Sequence, residues 1–126
     1  MNPLSHSQRQ TLEALLIARE KQLDAEITAA REATRLRDSE RLGEVTDRKE
    51  SADDKATEEV AQAETERDLD ELKAVQAARL RLNAGLYGQC IDCAEPIAFA
   101  RLQAQPAALR CARCQAGHEE KTGRKR

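Results

Sequence analysis

From Ser7 to about Arg41 the chain places apolar residues at Leu12, Leu16, Leu23, Ile27, Ala30 and Ala33, mostly in steps of three, four and seven. Such steps set side chains on one face of a helix, while Glu20, Lys21, Glu32 and Arg35 fall mostly on the other faces. Neither Pro nor Gly interrupts the stretch between Pro3 and Gly43, and the Ser7 hydroxyl offers an N-cap, so one long helix is predicted. A second long helix is predicted from about Ala56 to Ala84, a stretch without Gly or Pro. Val60, Leu69, Leu72, Val75, Leu82 and Leu86 lie near one stripe there, and Arg79 interrupts it.

Neither helix can bury its stripe alone. The connection between them, Gly43 to Lys55, is short, polar and dense in acids, so the economical arrangement is an antiparallel hairpin with arms of about 40 to 50 Å at ~1.5 Å per residue. A dimeric coiled coil of separate helices is the alternative, and it fits less well because heptads are poorly kept. A charged connection is ordinarily a solvated turn. Held far from the body of a domain, an acidic tip can also enter a narrow channel and meet a cation or a basic side chain.

Composition limits what else holds the chain together. Its 126 residues include no Trp, one Tyr (Tyr87) and one Phe (Phe99), and 35% are charged, which suits long amphipathic helices and leaves little for a conventional core. Four cysteines supply a substitute. Cys90 and Cys93, then Cys111 and Cys114, form two C-x2-C pairs separated by 17 residues, a spacing that closes a tetrahedron of thiolates around one structural zinc. Two disulfides in a secreted protein, or an accidental spacing, are the other readings. Met1 to Ser7 carries no basic or apolar export signal, and no apolar run approaches the roughly 20 residues that span a bilayer. A cytoplasmic, reducing setting follows as the expectation, and it favours zinc.

Gly85 and Gly88 are placed to end the second helix just before the metal segment. A short helix fits between Pro96 and Pro106, with Ile97, Phe99 and Leu102 packing around the metal, and another fits Cys111 to Glu120. The organisation expected is all-α: a helical hairpin over residues 1–86 with its tip near 43–55, a four-Cys zinc module over 87–120, and a basic tail over 121–126.

Charge narrows the function. Residues 90–126 hold seven Arg or Lys and four Asp or Glu, a balance of +3, and because the whole chain is −2, residues 1–89 carry −5. No basic surface studded with aromatics is present, so direct nucleic-acid binding is the weaker reading. A closed four-thiolate zinc leaves no position for water, and no nucleophile, base and orienting group can be assembled around it, so the chain is not expected to be an enzyme. His6 and His118 add nothing to a site that is already closed. A zinc module binding nucleic acid through its tail, and a thiol redox sensor that releases zinc on oxidation, remain as alternatives.

Glu71-Leu72, Val75, Arg81-Leu82, Gly85, Tyr87-Gly88 and the segment from Cys90 to Cys114, with Ile97, Arg101-Leu102, Ala104 and Pro106, resemble the DksA/TraR family of bacterial zinc-finger transcription regulators. The likeness covers about residues 44–118, and the cysteine spacing agrees without a gap. It implies a monomer whose hairpin enters the secondary channel of RNA polymerase, where acidic tip residues alter promoter-complex stability. The family's tip motif, Asp-x-x-Asp-x-Ala, falls on Asp47, Glu50 and Ala52 when counted back from Cys90, with Glu in place of the second Asp. A register shifted by four, using Asp54 and Ala56, puts Ser51 where the first Asp belongs and needs a gap in the second helix. Basic residues that the family uses for the alarmone ppGpp match Ala74, Gln105 and Gln115 here. Losing three cations from a polyphosphate site implies weak or absent ppGpp synergy. Arg101 remains as a cation, or as a stem packed beside the zinc loop.

Overall fold

A computed structural model describes residues 3–43 and 52–122, with side chains described over 3–40 and 55–122. The fold is all-α, a long helical hairpin followed by a small four-cysteine module. Its helices are α1 (His6–Gly43), α2 (Ala52–Ala84), α3 (Phe99–Ala104) and α4 (Ala112–Lys121). Among the described residues the sole β feature is a single antiparallel bridge between Gln89 and Pro96. No helix there is long and apolar enough to cross a membrane.

Ser5, rather than Ser7, caps α1. The Gln8 amide donates to Ser5 Oγ at 3.1 Å and the Ser5 amide donates to Gln8 Oε1 at 2.9 Å, a reciprocal capping box. Both serines have a Gln three residues on, Gln8 after Ser5 and Gln10 after Ser7, but Ser7 lies inside the first turn, where its carbonyl accepts from Thr11 Oγ1. Helix α1 then runs through Gly43 and α2 begins at Ala52, so the span between the helices is narrower than the polar composition of 43–55 implies.

The chain divides into two compact units, one of Met1–Arg19 with Ala74–Arg126 and the other of Glu20–Lys73. Each unit contains one segment of α1 and one of α2, as an antiparallel hairpin requires. Among the described residues, Leu12, Leu16, Val75, Ala78, Tyr87, Cys90, Ile97 and Leu102 are the buried apolar residues of the first unit. In the second unit only Leu23 and Ile27 are buried among the described residues.

The α1 stripe follows expectation at Leu12, Leu16, Leu23 and Ile27, but Ala30 is only half-buried and Ala33 is exposed. The α2 stripe differs. Its protected positions include Glu58, Ala61, Thr65, Asp68, Leu72, Val75, Arg79 and Leu82, an unbroken alternation of three and four. Val60, expected on the stripe, is 57% exposed, and Leu86, beyond the end of the helix, is 54% exposed. Arg79 does not break the seam but occupies it.

The end of α2 is built by Gly85, whose φ of +78° lies in the left-handed region. The Leu86 amide donates to the Arg81 carbonyl at 2.9 Å and the Gly85 amide donates to the Leu82 carbonyl at 3.2 Å, a Schellman termination. Arg81 Nη2 also donates to the carbonyls of Leu86 and Gln89, at 3.2 and 2.9 Å, which ties the last turn of α2 to the segment carrying the first cysteines.

Candidate metal centre

Two local structures present the sulfurs. The first is a tight turn after Gln89. The Ala94 amide donates to the Cys90 carbonyl at 3.0 Å and the Cys90 amide donates to the Glu95 carbonyl at 2.9 Å, which folds Cys90 and Cys93 onto one side. Ala94 closes this turn with φ of 65°, a left-handed conformation that costs an L-residue about 1–2 kcal/mol. The second is the start of α4. Cys111 is its N-cap, with extended backbone, and its sulfur accepts from the Cys114 amide at 3.5 Å.

Neighbouring groups hold these two structures together. The Ile91 amide donates to the Leu109 carbonyl at 2.9 Å, and Arg110 Nε pairs with Asp92 Oδ2 at 2.7 Å. Arg101 Nε donates to the Arg110 carbonyl at 2.9 Å, so the half-buried Arg101 braces the loop between the cysteine pairs. Tyr87 is buried and its hydroxyl donates to the Pro106 carbonyl at 2.6 Å. Gly88 has φ of +86°, and a Cβ there would lie 2.7 Å from Leu4 Cδ1, so the segment before α1 packs closely on this turn. Ile97 and Leu102 are buried beside it, and Phe99 is half-buried.

The sulfur atoms of Cys90, Cys93, Cys111 and Cys114 all lie within 4.8 Å of one another, and Cys93 Sγ is 3.9 Å from Cys111 Sγ. A tetrahedron with arms of about 2.3 Å has edges of about 3.8 Å, so the donor set fits zinc in number, chemistry and spacing. The electrostatics agree. Burial pushes the Cys90 thiol up, but the amides of Cys93, Cys111 and Asp92 point at its sulfur and outweigh that, bringing it down to about 6. The Cys114 amide lowers Cys111 in the same way. Cys114 cannot follow: its hydrogen bond to the Cys111 sulfur, its burial and the other two sulfurs push it up to about 12. Thiolates already in place oppose the ionisation of Cys114, and a dication at their centre removes that opposition.

Arg113 was not singled out by the sequence. It lies between Cys111 and Cys114, and the cysteine sulfurs around it, that of Cys93 first, hold its pKa above the usual arginine value. It offsets part of the −2 that four thiolates and a zinc carry together. The cue was legible: a cation in the first turn of a helix capped by a thiolate lies beside the metal.

The tip residues Asp47 and Glu50 lie outside the described residues. Ala52 is the first residue of α2, and its side chain, like that of Asp54, is outside them too. Of the three positions matched to the alarmone site, Ala74 is exposed on α2, Gln105 caps the end of α3, and Gln115 on α4 donates to Glu119 Oε2 at 3.4 Å.

Residues 85–120 match the prokaryotic dksA/traR C4-type zinc finger family. Among solved structures, transcription factor DksA2 from Pseudomonas aeruginosa is similar with a TM-score of 0.70 and 28% identity, covering 94% of this chain and 88% of its own. No curated protein matches the sequence. A C4-type finger whose four sulfurs converge this closely holds one structural zinc, and with four thiolates bound the metal has no open position for substrate.

Proposed function

We infer that this DksA-like chain is a transcription regulator of the DksA type, and we propose that it acts by inserting its helical hairpin into the secondary channel of RNA polymerase. The observation that carries this reading is the likeness to transcription factor DksA2 over 94% of the chain, joined to a zinc centre built onto the end of α2. In this reading zinc is a staple. It organises the small module that carries α2, while Asp47 and Glu50, followed by Ala52, act near the polymerase active centre and change the stability of promoter complexes.

Glu50 keeps the carboxylate that the family motif calls for but carries one more methylene, which moves the charge outward by roughly 1.5 Å, about one carbon–carbon bond. The strength of the effect or the choice of promoter shifts accordingly. Ala74, Gln105 and Gln115 bring no cation toward a polyphosphate, so the effect depends little on ppGpp. The chain works as a monomer in the cytoplasm, makes no sequence-specific DNA contact and has no chemistry of its own. Its partner is the enzyme.

The test is binding of the zinc-loaded protein to core RNA polymerase, alone and with the secondary channel filled by another channel-binding protein. Saturable binding that the competitor abolishes is expected, with little change when ppGpp is added. Absence of binding, or binding indifferent to the competitor, would overturn the proposal.

A further inference from the structure

The second unit is unevenly built along its length. At its inner end Leu23 and Ile27 are buried on α1, and Leu69 and Leu72 are half-buried on α2. Beyond them the apolar seam stops. Among the described side chains of residues 28–40, only Ala30 and Arg37 are even half-buried, and among those of residues 55–68, only Glu58, Ala61, Thr65 and Asp68. No leucine or valine side chain described in this stretch is buried or half-buried. Its two larger apolar residues, Leu36 and Val60, are 50% and 57% exposed.

A pair of long helices is held together mainly by apolar side chains at the seam, because propensity alone leaves an isolated helix marginal. Polar side chains at seam positions keep the register of three and four but remove little apolar surface from water. Elements with few buried apolar contacts open below the free energy of global unfolding. We propose that the tip-proximal part of the hairpin, residues 28–40 with 55–68, opens as a separate local unit while the inner end of the hairpin and the zinc module stay folded. This is a conformational device built into the seam. It bears on the proposed function because ordering such a segment then draws on the energy of binding, but it is a property of the free protein and stands whether or not polymerase is the partner.

Native-state hydrogen exchange on the zinc-loaded full chain tests it. Amides of residues 30–40 and 56–66 are expected to be protected at least about a hundredfold less than those around Leu16 and Val75. Val75→Ala, or the milder Tyr87→Phe, weakens the first unit, and either should speed exchange there while leaving the tip-proximal amides unchanged. Thr65→Leu combined with Asp68→Leu extends the apolar seam outward from Leu72 and should slow tip-proximal exchange about tenfold or more, the factor expected for taking leucine side chains out of water. Equal protection throughout the wild type would overturn the proposal. So would tip-proximal amides that speed up in step with the first unit in Val75→Ala or Tyr87→Phe, and so would no slowing in the seam-filled variant.

Discussion

Replacing Gly88 with alanine separates two costs that the structure places at one residue. The first is backbone. With φ of +86° an L-residue pays about 1–2 kcal/mol, less the 0.4–1 kcal/mol or so that alanine gains by restricting the unfolded chain. The second is steric, because the new Cβ would stand 2.7 Å from Leu4 Cδ1, and overpacking of this kind costs roughly 1–3 kcal/mol. Gly85 supplies the control. Its φ of +78° is similar, yet nothing lies within 4 Å of the Cβ position, so Gly85→Ala reads the backbone cost alone. Denaturant unfolding at fixed free zinc should therefore show a loss of about 0.5–1 kcal/mol for Gly85→Ala and about 2–3 kcal/mol for Gly88→Ala. Leu4→Ala removes the clashing group, so the double variant Leu4→Ala, Gly88→Ala should be more stable than the sum of the single losses by about 1–2 kcal/mol. Strict additivity would show that the close approach of Leu4 does not exist in solution. A neutral Gly88→Ala would refute the left-handed turn itself.

Tyr87→Phe leaves the Pro106 carbonyl without its donor and should cost about 1–2 kcal/mol in the same assay. Burial pushes the Tyr87 hydroxyl up to about 12 from an ordinary value near 10. The folded state therefore favours the neutral phenol: its contribution is complete below about pH 10 and is lost as pH rises through about 12, and the wild-type stability curve should fall there more steeply than that of Tyr87→Phe. Gly117 sits inside α4 with open space at its Cβ position, so Gly117→Ala should raise stability by about 0.8–1 kcal/mol, while Ala94→Gly should gain about 0.5 kcal/mol by relieving the left-handed turn. Zinc analysis should give one metal per chain. Chelation should abolish the cooperative unfolding of the first unit and expose Tyr87, the sole fluorescent aromatic of consequence, to a soluble quencher. Unchanged quenching would show that the module folds without its metal.

What the sequence made legible follows from how local each feature is. The four cysteines needed only their spacing, and the short helices α3 and α4 needed only Pro96, Pro106 and the position of Cys111. Leu12, Leu16, Leu23 and Ile27 stood out because they are large and recur at helical steps. The α2 seam was harder. Glu58, Thr65, Asp68 and Arg79 occupy seam positions, and Val60, an apolar residue at nearly the right step, faces water. Burial there is set by the partner helix, which no local pattern on α2 reveals. Ser5 was passed over for Ser7 because both precede a Gln by three residues, Gln8 and Gln10, and only the folded backbone shows that Ser5 and Gln8 form the box. Arg81 and Arg101 brace the cysteine segment through carbonyls 5 to 9 residues distant in the chain; Arg101 was expected beside the zinc loop, but the carbonyls that it and Arg81 reach are set by folding and not by residue type.

The proposed function divides the work between a zinc-built anchor and two acids, Asp47 and Glu50. It is tested most directly by the lifetime of open complexes at a promoter with an intrinsically unstable complex, measured with the wild type and with Asp47→Asn, Glu50→Gln. Wild-type protein should shorten the lifetime, and the uncharged double variant should bind core polymerase with the same Kd yet leave the lifetime unaltered. A double variant that shortens the lifetime as much as the wild type would contradict the claim that these carboxylates act.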